Sequence, residues 1–127
     1  MNKSELEQRT KVFALRVIRF VSDFPRSKAA DVIGYQLLKS ATSIGANYRE
    51  ANRAESRADF IHKIAIVEKE AAETEYWLEL CHEARLGDAD ECRALLQEAD
   101  ELVAIFTAIG RTTKRTAGPQ TAARNPK

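Results

Sequence analysis

"FIHKIAIVEKEAAETEYWLELC", residues 60–81, decides the fold. In it Phe60, Ile64, Val67, Ala71, Thr74, Leu78 and Cys81 recur at alternating steps of four and three. Such steps average 3.5 residues, slightly less than one turn of a straight helix, so the stripe stays on a partner only through left-handed coiling. Sustained over three heptads, it predicts near-antiparallel packing of the bundle kind. Ile61, Trp77 and Leu80 lie beside the seam and widen it. Glu68, Glu70, Glu73, Glu75, Glu79 and Glu83 read as an acidic face opposite it.

The flanks of this helix are marked by turn and cap chemistry. Ser56 can cap its start, with Asp59 three residues on in a variant of the capping box. Gly87 is a natural stop, and Asp88 caps a fourth helix with Glu91 three residues later. That helix buries Cys92, Leu95, Leu96, Ala99, Leu102, Val103, Phe106 and Ile109, and is expected to end near Lys114. Upstream, a second helix starts at Ser27, carries Val32, Ile33, Leu37, Leu38 and Ile44, and frays around Asn52 to Glu55. A first helix spans about residues 4–23, with Ser4 as cap and the stripe Phe13, Val17, Phe20, Phe24. Pro25 ends it, because the residue before proline avoids the helical region. Short links make sequential helices antiparallel neighbours. The expectation is an all-α, up-down-up-down antiparallel four-helix bundle over residues 1–115. Residues 116–127 show no periodicity and read as a disordered basic tail.

Composition agrees. The 127 residues include only five Gly and three Pro, with 44% hydrophobic and 31% charged residues, which suits one soluble helical domain. The net charge of +1 conceals three blocks. Residues 1–63 hold 12 Lys/Arg against 7 Asp/Glu, residues 64–110 hold 3 against 12, and residues 111–127 hold 5 against none. Blocks of opposite sign steer partners or favour self-association. The two cysteines, Cys81 and Cys92, make no disulfide framework. Neither a signal-peptide core nor an apolar run long enough to span a bilayer is evident, so a cytoplasmic, reduced protein with no membrane partner is expected.

The second helix holds a contrary stretch, "SATSIGANYREA", Ser40–Ala51, rich in poor helix formers. One stripe down this helix is Ile33, Leu37, Ser40, Ile44, Asn47; another is Gly34, Leu38, Ala41, Gly45, Tyr48. Gly34 and Gly45 lie three turns apart on one face, where small residues let another backbone come close. A mid-helix glycine costs about 1 kcal/mol relative to alanine, so a close contact should offset it. That contact is either within the bundle or with a neighbouring subunit. Ser40, Thr42 and Ser43 can return hydroxyl bonds to carbonyls four residues back. Asn47 and Glu50 read as polar locks, with Asn47 hydrogen-bonded because a buried unpaired amide costs about 1–3 kcal/mol.

The stretch Gln36–Leu80 resembles the signature of the four-helix bundle protein family, whose founding members are encoded within intervening sequences of 23S ribosomal RNA genes. Gln36, Leu37, Leu38, Ser40, Ala41, Ser43, Ile44, Asn47, Glu50, Ser56 and Phe60 carry the resemblance. Lys39 stands where Arg is usual, Ala51 where Gly is common, and Lys69-Glu70 where many members have Gly-Ser. The resemblance implies a bundle that assembles into a ring-like homopentamer and has no known catalytic activity. It makes Gly34, Ser40, Ala41, Ser43, Ile44, Gly45, Asn47 and Glu50 the candidate structural and interface positions.

Sites for chemistry are weak. Glu79-x-x-His82 and Asp59-x-x-His62 have the spacing of di-iron ligand pairs, but they stand about 30 Å apart along one helix. Surface side chains are the plainer reading, and no metal or cofactor is expected. Cys81 and Cys92 fall on or near core stripes as small hydrophobes. Neither a nucleophile elbow nor a phosphate loop is present, so no catalytic residue and no small-molecule substrate are expected. Arg49, Arg53 and Arg57 recur every four residues. With Lys63, Arg111, Lys114 and Arg115 they could contact RNA or DNA phosphates or simply pair with acidic side chains. Tyr48 could stack on a base or pack in a core. The expected function is a non-enzymatic, self-associating scaffold or adaptor; the alternative is a nucleic-acid-binding accessory protein.

Overall fold

In a computed structural model, the backbone of residues 1–124 and the side chains of residues 1–115 are described. Four α-helices follow in order: α1 (Lys3–Ser22), α2 (Lys28–Ala51), α3 (Arg57–Ala84) and α4 (Ala89–Arg124). No strand occurs among the described residues. α1 packs on α2, α2 on α3, α3 on α4 and α4 on α1, while the diagonal pairs make no close backbone approach and meet through side chains, as Tyr48 does with Phe106.

Cap chemistry places the helix starts. Ser27 accepts from the Ala30 amide at 3.1 Å, Ser56 from the Asp59 amide at 3.1 Å and Asp88 from the Glu91 amide at 2.8 Å, as their spacing predicts. α1 differs: its cap is Asn2 rather than Ser4. Asn2 and Glu5 exchange bonds in a full capping box, each 2.8 Å, which satisfies two amides at once. α3 stops earlier than Gly87. Arg85 takes the left-handed conformation at φ 58°, and the Leu86 amide closes back on the Cys81 carbonyl at 2.9 Å. Gly87 also has positive φ, 77°, and a Cβ there would stand 2.5 Å from the Phe20 ring. α4 runs past the expected end at Lys114 to Arg124. The apolar stripe stops at Ile109, but helical hydrogen bonds continue without it. The reading of 116–127 as a disordered tail falls on residues whose side chains lie outside those described.

The core is one continuous cluster. Ile64, Val67, Ala71, Thr74, Leu78 and Cys81, the predicted seam of α3, are all fully buried. Facing them are Leu37, Ala41 and Ile44 from α2, Phe13 and Val17 from α1, and Leu95, Leu102 and Phe106 from α4. Each large side chain buried this way stabilises by about 1.5–3 kcal/mol. The α3 glutamates do not all oppose the seam. Glu68, Glu70, Glu73 and Glu75 are half-buried beside it, because α3 packs on α2 and α4 at once. Only Glu79 and Glu83 of that set are exposed.

Candidate functional site

The small-residue face of α2 turns toward α1. A Cβ on Gly45 would lie 3.0 Å from Thr10 Oγ1, and one on Gly34 would lie 3.1 Å from Val21 Cγ1. Ala41, between them, is fully buried. The close approach is therefore met inside the chain, at the α1–α2 seam. Thr10 is itself buried and gives its hydroxyl to the Glu7 carbonyl at 2.9 Å.

The hydroxyls of α2 bond along their own helix. Thr42 and Ser43 reach carbonyls four residues back, Leu38 and Lys39, at 2.8 and 2.7 Å. Ser40 instead reaches Leu37, three back, and accepts from Thr74 Oγ1 at 2.9 Å. That bond ties α2 to α3 across a wholly buried contact. Asn47 gives its amide to the Ser43 carbonyl at 2.8 Å, so its lock is within the helix. Glu50 is exposed and pairs with Lys63 at 3.1 Å. Ile44 is a core residue with no exposure.

The candidate phosphate contacts gather at one end of the bundle, where α2 ends and α3 begins. Arg57 shares a groove of about 370 Å³ with Lys3, Phe60, Thr112 and Thr113, which brings the start of α3 beside the segment carrying Arg111 and Lys114. Arg53, Arg111, Lys114 and Arg115 are exposed. Some of the candidates already hold partners within the chain: Arg49 faces Glu7 at 3.8 Å, and Lys63 faces Glu50. Tyr48 is a core residue, 3% exposed and edge-on to Phe106 at 5.2 Å, so it offers no platform for a base.

Elsewhere the titratable groups explain themselves structurally. Burial and the neighbouring Cys92 push the Cys81 thiol up to about 12. Burial, then Asp100 and Glu79, raise the Glu75 carboxyl above its usual range. Among the described residues no group of three or more His, Cys, Asp or Glu could hold a metal ion. No helix among them is long and apolar enough to cross a membrane.

Two features escaped the sequence reading. Arg9 and Arg16 of α1 reach across to α4, to Glu98 and Glu101 and to Glu91 respectively. Large apolar side chains also stand outside the core: Val12, Leu15 and Ile18 on α1, and Val32 and Tyr35 on α2, from 41% to 62% exposed. Leu15 and Ile18 fall off the Phe13-Val17-Phe20 stripe, which was the available signal.

Comparison with known proteins now adds to this geometry. A family model described as 23S rRNA-intervening sequence protein matches residues 2–108. The chain belongs to the 23S rRNA-intervening sequence protein family. A solved relative is a protein of unknown function from the S23 ribosomal protein family of Bacteroides thetaiotaomicron, 35% identical with a TM-score of 0.78. The match covers 87% of this chain and 99% of that one. No curated protein matches. In this member of the 23S rRNA-intervening sequence protein family, Gly45 and Ser40 of the signature stretch contact α1 and α3 of the same chain.

Proposed function

We propose that the protein is a non-enzymatic, self-associating scaffold or adaptor, built as an up-down-up-down antiparallel bundle and assembled as a homopentamer. The observation that carries self-association is the exposed apolar group on α1 and α2: Val12, Leu15, Ile18, Val32 and Tyr35. Contiguous exposed apolar surface marks interaction sites on soluble proteins. The antiparallel order is supported by contacts that fall in reverse sequence: Gly34 meets Val21 and Gly45 meets Thr10, while Arg9 meets Glu98 and Arg16 meets Glu91. The number five comes from the family resemblance.

Sedimentation or light scattering is the test. The expected mass is five times the 14.2 kDa chain. A monomer at micromolar concentration overturns the reading.

A second reading, RNA or DNA binding, is favoured by the exposed cations Arg53, Arg111, Lys114 and Arg115 near one end. It is weakened by the pairing of Arg49 and Lys63 within the chain. A salt titration of RNA and DNA binding tests it: phosphate contacts require affinity to fall steadily as salt rises.

A further inference from the structure

We infer that the contact between copies joins two different faces: the groove between α1 and α2 of one copy receives the acidic ridge of α3, centred on Tyr76, of the next. The inference rests on the self-association proposed above and names the surfaces that carry it.

The groove holds about 320 Å³ and is lined by Val21, Phe24, Gly34, Tyr35 and Leu38, with Arg26 at its mouth. Its floor is low because Gly34 has no side chain. Ile18 and Val32 are further exposed apolar side chains on the same two helices. Lys11, Lys28 and Lys39 are exposed on the same two helices, and none has an ion pair among the described residues. Asp31 is the acidic residue in the lining. The lining is thus apolar with Arg26 and Asp31 as its charged members, and Lys28 and Lys39 add exposed positive charge on α2.

The ridge is its complement. Lys69, Ala72, Tyr76, Glu79 and Glu83 are exposed at successive steps of three, four, three and four along α3, so the acidic part of the ridge is the side after Tyr76. Tyr76 is 52% exposed, and its ring is braced edge-on by Trp77 at 5.0 Å. Trp77 in turn donates to Glu73 at 3.1 Å. A braced, half-exposed tyrosine loses little side-chain freedom on docking, and tyrosine is enriched among the residues that anchor interfaces. Ala72, one turn before it, leaves room for the facing backbone. Glu79 and Glu83 supply charge opposite to the lysines around the groove.

The two surfaces also match in height. The Ser40–Thr74 bond fixes the level of α3 against α2, so Tyr76 stands at about the level of Leu38, a groove residue, on a different face. The Gly34 contact with Val21 and Phe24 brings the outer end of α1 to the same level. Groove and ridge lie on different helices, so one pair cannot satisfy both copies. Each copy that fills a neighbour's groove leaves its own groove for a third. Contacts of this head-to-tail kind close into a ring when the rotation permits.

Two variants of the full chain test the pairing: Tyr35→Glu in the groove and Tyr76→Arg on the ridge. Both positions are more than half exposed, and circular dichroism and thermal melting check that each variant folds as the native chain does. Each alone should be monomeric where the native chain assembles. Mixed in equal amounts at the highest soluble concentration, they should form a two-chain species and nothing larger, since one intact groove and one intact ridge remain. Assembly of either variant alone overturns the inference. So does a mixture that stays monomeric; an interface elsewhere shows itself as a variant that assembles alone. A native chain that is monomeric overturns self-association itself, and so is distinguished from a wrong choice of faces.

Discussion

α1 is held on its two flanks by different physics. Against α2 the contact along the helix is steric, with Glu7 meeting Arg49 and Asn52 only at its end: glycines at 34 and 45 let Val21, Phe24 and Thr10 lie where a Cβ would otherwise press. Against α4 it is electrostatic: Arg9 spans Glu98 and Glu101 at 2.6–2.8 Å, and Arg16 reaches Glu91 at 3.1 Å. A packed seam is intolerant of added volume but indifferent to salt. Half-exposed ion pairs tolerate substitution and weaken as salt rises. One helix thus shows both kinds of contact, and each can be broken separately.

The strongest break is Gly45→Leu. Its Cβ alone would sit 3.0 Å from Thr10 Oγ1 and 3.3 Å from Thr10 Cβ, so the buried Thr10 side chain must give before the rest of the leucine is placed. Overpacking of this kind costs about 1–3 kcal/mol. A lower Tm that molar salt leaves unchanged is the expected result. An unchanged Tm with lost assembly would mean that this face meets another copy instead.

Arg9→Met comes next. It keeps an apolar stem but removes the bonds to Glu98 and Glu101, whose side chains are 18% and 48% exposed. A loss of about 0.5–1 kcal/mol at low salt is expected, shrinking as salt is added. Denaturant melts at two ionic strengths measure it. A salt-independent loss would assign the effect to packing of the arginine stem.

Gly34→Ala should do least. A Cβ there would stand 3.1 Å from Val21 Cγ1, a methyl on the half-buried rim of the core. The gain of about 1 kcal/mol in helix propensity is expected to offset most of the crowding, leaving a net change of about 0.5 kcal/mol or less. Equal destabilisation by Gly34→Ala and Gly45→Ala would remove the distinction between the two ends of the seam.

The helices and their inward faces were legible because their causes are local. The α3 stripe from Ile64 to Cys81 needs only the 3.5-residue period, and Ser27, Ser56 and Asp88 need only one side-chain oxygen and a nearby amide. Ambiguity entered where two local solutions compete. Asn2-x-x-Glu5 and Ser4-x-x-Glu7 both fit a capping box, and only the fold selects the first. At the α3 end, two residues need positive φ, and the requirement for Gly falls on residue 87, where Phe20 and Phe24 leave no room for a Cβ. Periodicity also groups Gly34 with Gly45 without saying which helix they face. The cross-helix arginine pairs depend on the register of α1 against α4, which no single stripe contains. The basic cluster was visible as a run, but not that Glu7 and Glu50 neutralise part of it.

The two cysteines give the molecule a clock. Cys81 and Cys92 are 0% and 1% exposed, on adjacent turns of α3 and α4, and burial holds both thiols in the protonated form. Only the thiolate attacks an alkylating reagent, so neither residue reacts while those helices stay together. With reagent concentrated enough to outrun reclosing, the rate at which it labels the native chain therefore reads how often the Arg85–Asp88 end opens. No dye, tag or substitution is needed to read it.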